Sequence, residues 1–255
     1  MDTNQKEMIL NRLKECPGDI GFYYKSLVTG DVVTYNEQHA FLAASEIKLP
    51  IFVDIMTKAA KGLVDMNRKI QIMEEDLLPS CGAINLFSKC PSLDLRTICN
   101  FMIALSDNTA TNILIREMGF KTLNTGFREM GLENTKLERM LFDAEGAKKG
   151  LQNRFVPQEY GILLEKLHLG QIVDKTTSDD ILKTLKMQNI NHKIPGLMEE
   201  RYEVAHKTGE DDNITHDAGI VYCENPFIVV FASNNTDVGI FEDAIRHISL
   251  ELTKQ

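Results

Sequence analysis

The ten residues Leu105-Ser106-Asp107-Asn108-Thr109-Ala110-Thr111-Asn112-Ile113-Leu114 decide the reading of this chain. Just before them, Leu95, Ile98, Cys99, Met102 and Leu105 recur at helical spacing and make one apolar face. Beyond them, Thr109 to Met118 reads as a second helix, stopped by Gly119. Ser106-Asp107-Asn108 sits between the two and, taken alone, reads as a helix cap.

Upstream lies Ser45-Glu46-Ile47-Lys48, and downstream Lys207-Thr208-Gly209. A serine hydroxyl is a poor nucleophile until a neighbouring base takes its proton. On a helix, positions i and i+3 share a face, so Lys48 sits over Ser45. A lysine acts as a base only when desolvation or another cation lowers its pKa, and Lys207 is a candidate for that second charge. A helix start at Ser45 aims backbone N–H groups at a developing oxyanion. It also makes Pro50 tolerable in the first turn. Singly, the first motif reads as a cap followed by a solvated lysine, and the last as a strand end and turn. Their occurrence together, in this order, points to acyl transfer.

The ordered trio resembles that of class A serine β-lactamases and penicillin-binding proteins. The similarity extends to LSDNTATNIL, to Val204–Gly209 (VAHKTG), to His216-Asp217-Ala218-Gly219-Ile220-Val221 on the following strand, and to Thr135–Arg139 (TKLER), which resembles the entry to that family's omega loop. The resemblance covers nearly the whole chain. It implies an α/β (α+β) fold, with an antiparallel sheet flanked by the terminal helices, an all-helical lobe, and the active site in the cleft between. It also implies roles. Ser45 would be acylated, with Lys48 activating it. Ser106 would relay a proton to the leaving nitrogen, and Lys207 would hold its electrostatics. Asn108 would bind the substrate's amide side chain, and Thr208 and Gly209 its carboxylate side. The backbone N–H groups of Ser45 and Glu210 would form the oxyanion hole.

Some positions depart from the family's pattern. Where the family has the glutamate that orients the hydrolytic water, this chain has Leu141, and Glu145 stands at the matching asparagine. The loop-closing aspartate appears as Asn153, so its ion pair with Arg139 is absent and a rebuilt loop is expected. Asp143 and Glu145 are candidate replacement bases, or simply solvated loop carboxylates. Thr215 and Phe227 occupy the positions of the family's carboxylate-binding arginines. Glu210 replaces a small residue and adds charge unfavourable to an anionic β-lactam. Cys99 matches a position bridged in some family members, but Phe52 stands at its partner position, so no disulfide is expected.

Composition agrees with a single soluble domain. The 255 residues are 43% hydrophobic, with a net charge of −9, and so lack the basic balance of a nucleic-acid binder. Five cysteines without a C-x-x-C indicate reduced thiols. Six histidines without an H-x-x-x-H pair suggest no metal site, and no cofactor is implied. No segment approaches the ~18 apolar residues of a membrane span, and the N-terminus lacks a secretory pattern. This predicts a cytoplasmic protein, or a secreted one if a leader has been removed.

Strand-like segments occur at both ends: Ile20–Tyr24 with Val32–Tyr35, and Ala218–Cys223 with Phe227–Ala232. Residues 5–15 and the last segment, with Phe241, Ala244, Ile245, Ile248 and Leu252 on one face, read as helices. We therefore expect one β-lactamase-like domain over 1–255, with an α/β lobe from 1–44 and 196–255 and a helical lobe from 45–195. Three functions follow. The first is a β-lactam hydrolase with slow deacylation. The second is a penicillin-binding or peptidase/esterase-like acyl-transfer protein without efficient turnover. The third is a non-catalytic relic that binds an acyl-peptide or partner protein. The expected partner is a small β-lactam or acyl-peptide substrate, met by a monomer, without nucleic acid or membrane.

Overall fold

The computed structural model describes residues 1–79, 81–199 and 201–254. The chain opens with α1 (Thr3–Glu15), capped by the Asp2 carboxylate on the Gln5 N–H at 2.7 Å. It continues through β1 (Asp19–Ser26), β2 (Val32–Tyr35) and β3 (Phe41–Leu42) to α2 (Lys48–Ala60). β4 (Lys69–Gln71) and β5 (Ser92–Asp94) form a small ribbon ahead of α3 (Leu95–Ala104), α4 (Asn108–Met118) and α5 (Phe120–Met130). Then come α6 (Ala144–Lys148), β6 (Arg154–Phe155), α7 (Pro157–His168) and α8 (Lys175–Leu185). The chain ends with β7 (Glu203–Asp211), β8 (Ile214–Tyr222), β9 (Phe227–Asn234) and α9 (Val238–Leu252).

The main sheet runs β2-β1-β9-β8-β7, antiparallel throughout, so the first and last strands of the chain join at β1–β9. Alternation along each strand divides the residues between two cores. Phe22, Tyr24, Val229 and Phe231 face a cluster closed by Ile9 and Leu13 of α1 and by Phe241, Ile245 and Ile248 of α9. Tyr23, Ile228, Val230 and Ala232 face the larger core of the helices. There α2, packed against α3, α5 and α8, is buried at every residue from Lys48 to Met56. A helix apolar over most of its surface belongs in such a place, and its one buried acid, Asp54, is paired with Lys58. α4 ends at Gly119, whose φ of 80° strongly favours glycine.

One local expectation needs revision. Lys207-Thr208-Gly209 is not a strand end, because β7 pairs with β8 as far as Asp211↔Ile214. His216 lies inside the following strand, β8, and is fully buried. The motif therefore occupies the middle of an edge strand, held by one neighbour and open to the cleft on its other side.

Candidate active site

Ser45 stands in a 3₁₀ turn, Ala44–Ile47, that runs directly into α2. Ala44 before it adopts φ 41°, and Ser106 adopts φ 52°. Such left-handed backbone costs a non-glycine residue of order 1–3 kcal/mol and persists only where its surroundings impose it. Asp107 does so beside Ser106. One of its oxygens caps α4 at the Ala110 N–H (2.9 Å), while the other accepts from Ala83 and Ile84 N–H at 2.8 and 3.0 Å. The tripeptide is thus a helix cap, and the cap turns Ser106 and Asn108 toward Lys48.

The Lys48 Nζ is fully buried, 2.8 Å from Ser45 Oγ, 3.0 Å from Ser106 Oγ, 2.8 Å from Asn108 Oδ1 and 2.7 Å from the Ser106 carbonyl. Burial, reinforced by the charge of Lys207, holds its pKa well below the ordinary lysine value. Lys207 donates to Ser106 Oγ at 3.0 Å and to its neighbour's carbonyl, Thr208 O, at 2.6 Å. Burial pushes it down to about 8. Ser45, Lys48, Ser106 and Lys207 therefore form one connected chain. They border a cleft of about 610 Å³ that Ser45, Ser106, Asn108, Thr208 and Glu210 help to line.

Gly209 explains how β7 comes so near the nucleophile. A Cβ there would meet Glu46 Cγ and N at 3.2 Å and His216 Cδ2 at 2.8 Å. Glu46 itself is fully buried with neither carboxyl oxygen hydrogen-bonded, and burial raises its pKa well above the usual range. The S-x-x-K pattern assigns no role to that position.

The loop after α5 brings Arg139, Leu141, Phe142, Gln152 and Asn153 to the cleft and no carboxylate among the described residues. The Asn112 side chain clamps Leu141 on both sides of its backbone: Oδ1 accepts from Leu141 N at 2.9 Å and Nδ2 donates to Leu141 O at 3.0 Å. Asn112 lies one helical turn after Asn108, so its spacing places both asparagines on one face of α4. Asn153 closes the loop without charge, accepting from Glu138 and Arg139 N–H at 2.8 and 3.1 Å. Arg139 is left with neutral partners, Gln152 and the Met140 carbonyl. Asp143 caps α6 through Gly146 N–H at 2.8 Å, and exposed Glu145 pairs with Lys148 at 2.9 Å. Neither carboxylate lines the cleft.

Lys193 carried no sequence signal, yet it is fully buried beside β7. It donates to Gly209 and His216 carbonyls at 3.2 and 3.1 Å and pairs with Glu210 at 3.0 Å. His192, Glu210 and Glu242 bring possible ligand atoms within 4.8 Å of one another. The Lys193 ammonium, 3.0 Å from one carboxylate and 4.0 Å from the other, already supplies the positive charge there. The five cysteines are free, and Cys81, exposed beside Ser106, lines the cleft. Among the described residues no helix is long and apolar enough to cross a membrane.

Comparison with known proteins agrees with this geometry. Residues 4–255 match the model of the Beta-lactamase enzyme family. β-Lactamase VEB-1 of Pseudomonas aeruginosa is 25% identical over 93% of this chain and 85% of its own. Among solved structures, PBP-A superposes with a TM-score of 0.88 at 26% identity, covering 99% of this chain and 95% of that one. A β-lactamase from Sphaerobacter thermophilus superposes at 0.89 and 23% identity, over 100% and 98% of the two chains.

Proposed function

The chain belongs to the β-lactamase enzyme family and is a serine β-lactamase-like hydrolase, and from that premise we propose that Ser45 opens β-lactam amides through a long-lived acyl-enzyme. The observation that carries this is the contact of Ser45 Oγ with a buried Lys48 amine at 2.8 Å. With its pKa held down, Lys48 accepts the Ser45 proton as Oγ bonds to the carbonyl carbon. The backbone N–H groups of Ser45 and Glu210 receive the oxyanion. The C–N bond then breaks, and Ser106 Oγ gives its proton to the leaving nitrogen and regains one from Lys48. Lys207 keeps positive charge beside Ser106, and Asn108, Thr208 and Gly209 seat the substrate.

Deacylation needs a base for water, and the cleft's loop side offers Leu141 instead. This favours a second reading within the same chemistry, a penicillin-binding or peptidase-like protein that acylates without efficient turnover. Intact-protein mass spectrometry after addition of penicillin, with time points, tests both. A penicilloyl adduct that forms and then clears over minutes or longer is expected, with none on Ser45→Ala. Labelling of Ser45→Ala at the wild-type rate would refute the nucleophile.

A further inference from the structure

Glu210 is half exposed at the rim of the cleft, and its carboxylate reaches back to the Lys193 ammonium at 3.0 Å. Lys193 has no exposed side-chain surface. A buried ammonium needs a counter-ion, because an uncompensated charge there is strongly destabilising. Its other carboxylate neighbour, Glu242, is 4.0 Å away and is held by the Thr215 hydroxyl at 2.9 Å. His192 lies 3.6 Å from Glu210 on the solvent side. Glu210 is therefore the closest acid to Lys193. It stands two residues along β7 from Thr208, on the same face of the strand, and both line the cleft. Asp211 and Asp212 follow it along the same lining.

We propose that Glu210 is a built-in counter-ion to Lys193, standing where a substrate carboxylate would otherwise dock, and that the cleft therefore selects acyl donors that are neutral or cationic on the leaving-group side. This rests on the acyl-enzyme reading of Ser45. A carboxylate seated at Thr208 would sit one strand repeat from the Glu210 carboxylate. The Lys193 ammonium that could balance it there is already paired with Glu210, and the Lys207 ammonium is already engaged by Ser106 Oγ and the Thr208 carbonyl. A neutral ester or amide at the same place meets no such repulsion. Substitution of Glu210 by a neutral residue leaves Lys193 in need of an anion, and the incoming carboxylate supplies one.

The test compares a carboxylate-bearing penicillin with its methyl ester, reading the second-order rate of adduct formation on Ser45 by mass spectrometry. In the wild type the ester is expected to acylate faster than the acid. In Glu210→Gln the ester-to-acid ratio is expected to fall by about tenfold, a modest factor because half of the Glu210 side chain is in water. Adding Lys193→Met to Glu210→Gln should return the ratio toward the wild-type value. An ester-to-acid ratio that is the same in the wild type and Glu210→Gln, with both probes labelling Ser45, overturns the inference and leaves the acyl-enzyme reading intact. Absence of labelling by either probe overturns that reading, and this inference with it.

Discussion

Replacing Leu141 by glutamate should convert slow deacylation into measurable turnover. Leu141 lines the cleft, and the two Asn112 hydrogen bonds hold its backbone in place. The new carboxylate would therefore start from a fixed Cα rather than from a free loop. A positioned general base contributes roughly 10²–10⁴-fold, or about 3–5 kcal/mol of barrier. The lower end is the better expectation, since Glu145, at the position of the family's asparagine, is exposed and paired with Lys148. Against it stands the lost burial of a leucine that is partly buried against the helical core, about 1–2 kcal/mol of stability, which leaves the fold intact. Acylation should change by less than about tenfold, because Lys48 and not the loop activates Ser45. The assay is quenched-flow mass spectrometry of the penicilloyl adduct, with the adduct half-life falling by about 10² in Leu141→Glu. Adding Asn112→Ala should abolish most of that gain by releasing the loop. If Leu141→Glu forms the adduct normally and clears it no faster, Leu141 does not occupy the place of a deacylation base. If the wild-type adduct clears within about a second and persists in Asp143→Asn or Glu145→Gln, the base-deficient reading is wrong altogether. The helix cap at Asp143 and the Lys148 pair at Glu145 argue against that outcome.

Three further predictions concern the groups around the nucleophile. Acylation by a carboxylated β-lactam should rise with pH as Lys48 loses its proton and fall again above about pH 8, where Lys207 loses its charge; a flat profile from pH 7 to pH 10 would contradict those roles. His216 is fully buried and held neutral, its pKa pushed down to about 3 by desolvation. The unfolded chain therefore binds a proton below about pH 6.5 that the native state refuses, and stability falls with pH through that window, by about 2 kcal/mol at pH 5. Urea unfolding at pH 7.5 and pH 5 should show a loss of that order in the wild type beyond any loss in His216→Asn, and equal losses would refute it. Gly209→Ala, with its new methyl group against Glu46 and His216, should cost about 1–3 kcal/mol and slow acylation; unchanged melting and acylation would show that β7 shifts freely.

Much of the fold was legible because its signals are local. The periodicity of Leu95–Leu105, the stop at Gly119 and the two terminal hairpins depend on neighbours close in sequence, and α3, α4, β1–β2 and β8–β9 appear where those patterns lie. The extent of β7 was not legible. Lys-Thr-Gly has weak strand propensity, and only pairing with β8 carries the strand through to Asp211.

At the site, the sequence by itself determined which groups are available: a serine and lysine one turn apart, a capped serine and asparagine, a lysine before a threonine and glycine, and a leucine where a base would be needed. Tertiary structure decided what surrounds them. Ser45, Ser106 and Lys207 are far apart in the chain. The packing of α2 against the turn between α3 and α4 and the seating of β7 beside that turn link them through Lys48, with contacts of 3.0 Å or less. The burial that lowers the pKa of Lys48 and Lys207 and raises that of Glu46 depends on that packing, because desolvation is a property of position and not of residue type. The pairing of Lys193 with Glu210 has the same origin. A loop lysine carries no sequence signal of its own, and its charge acquires meaning only where the fold removes it from water and sets the Glu210 carboxylate 3.0 Å away to meet it.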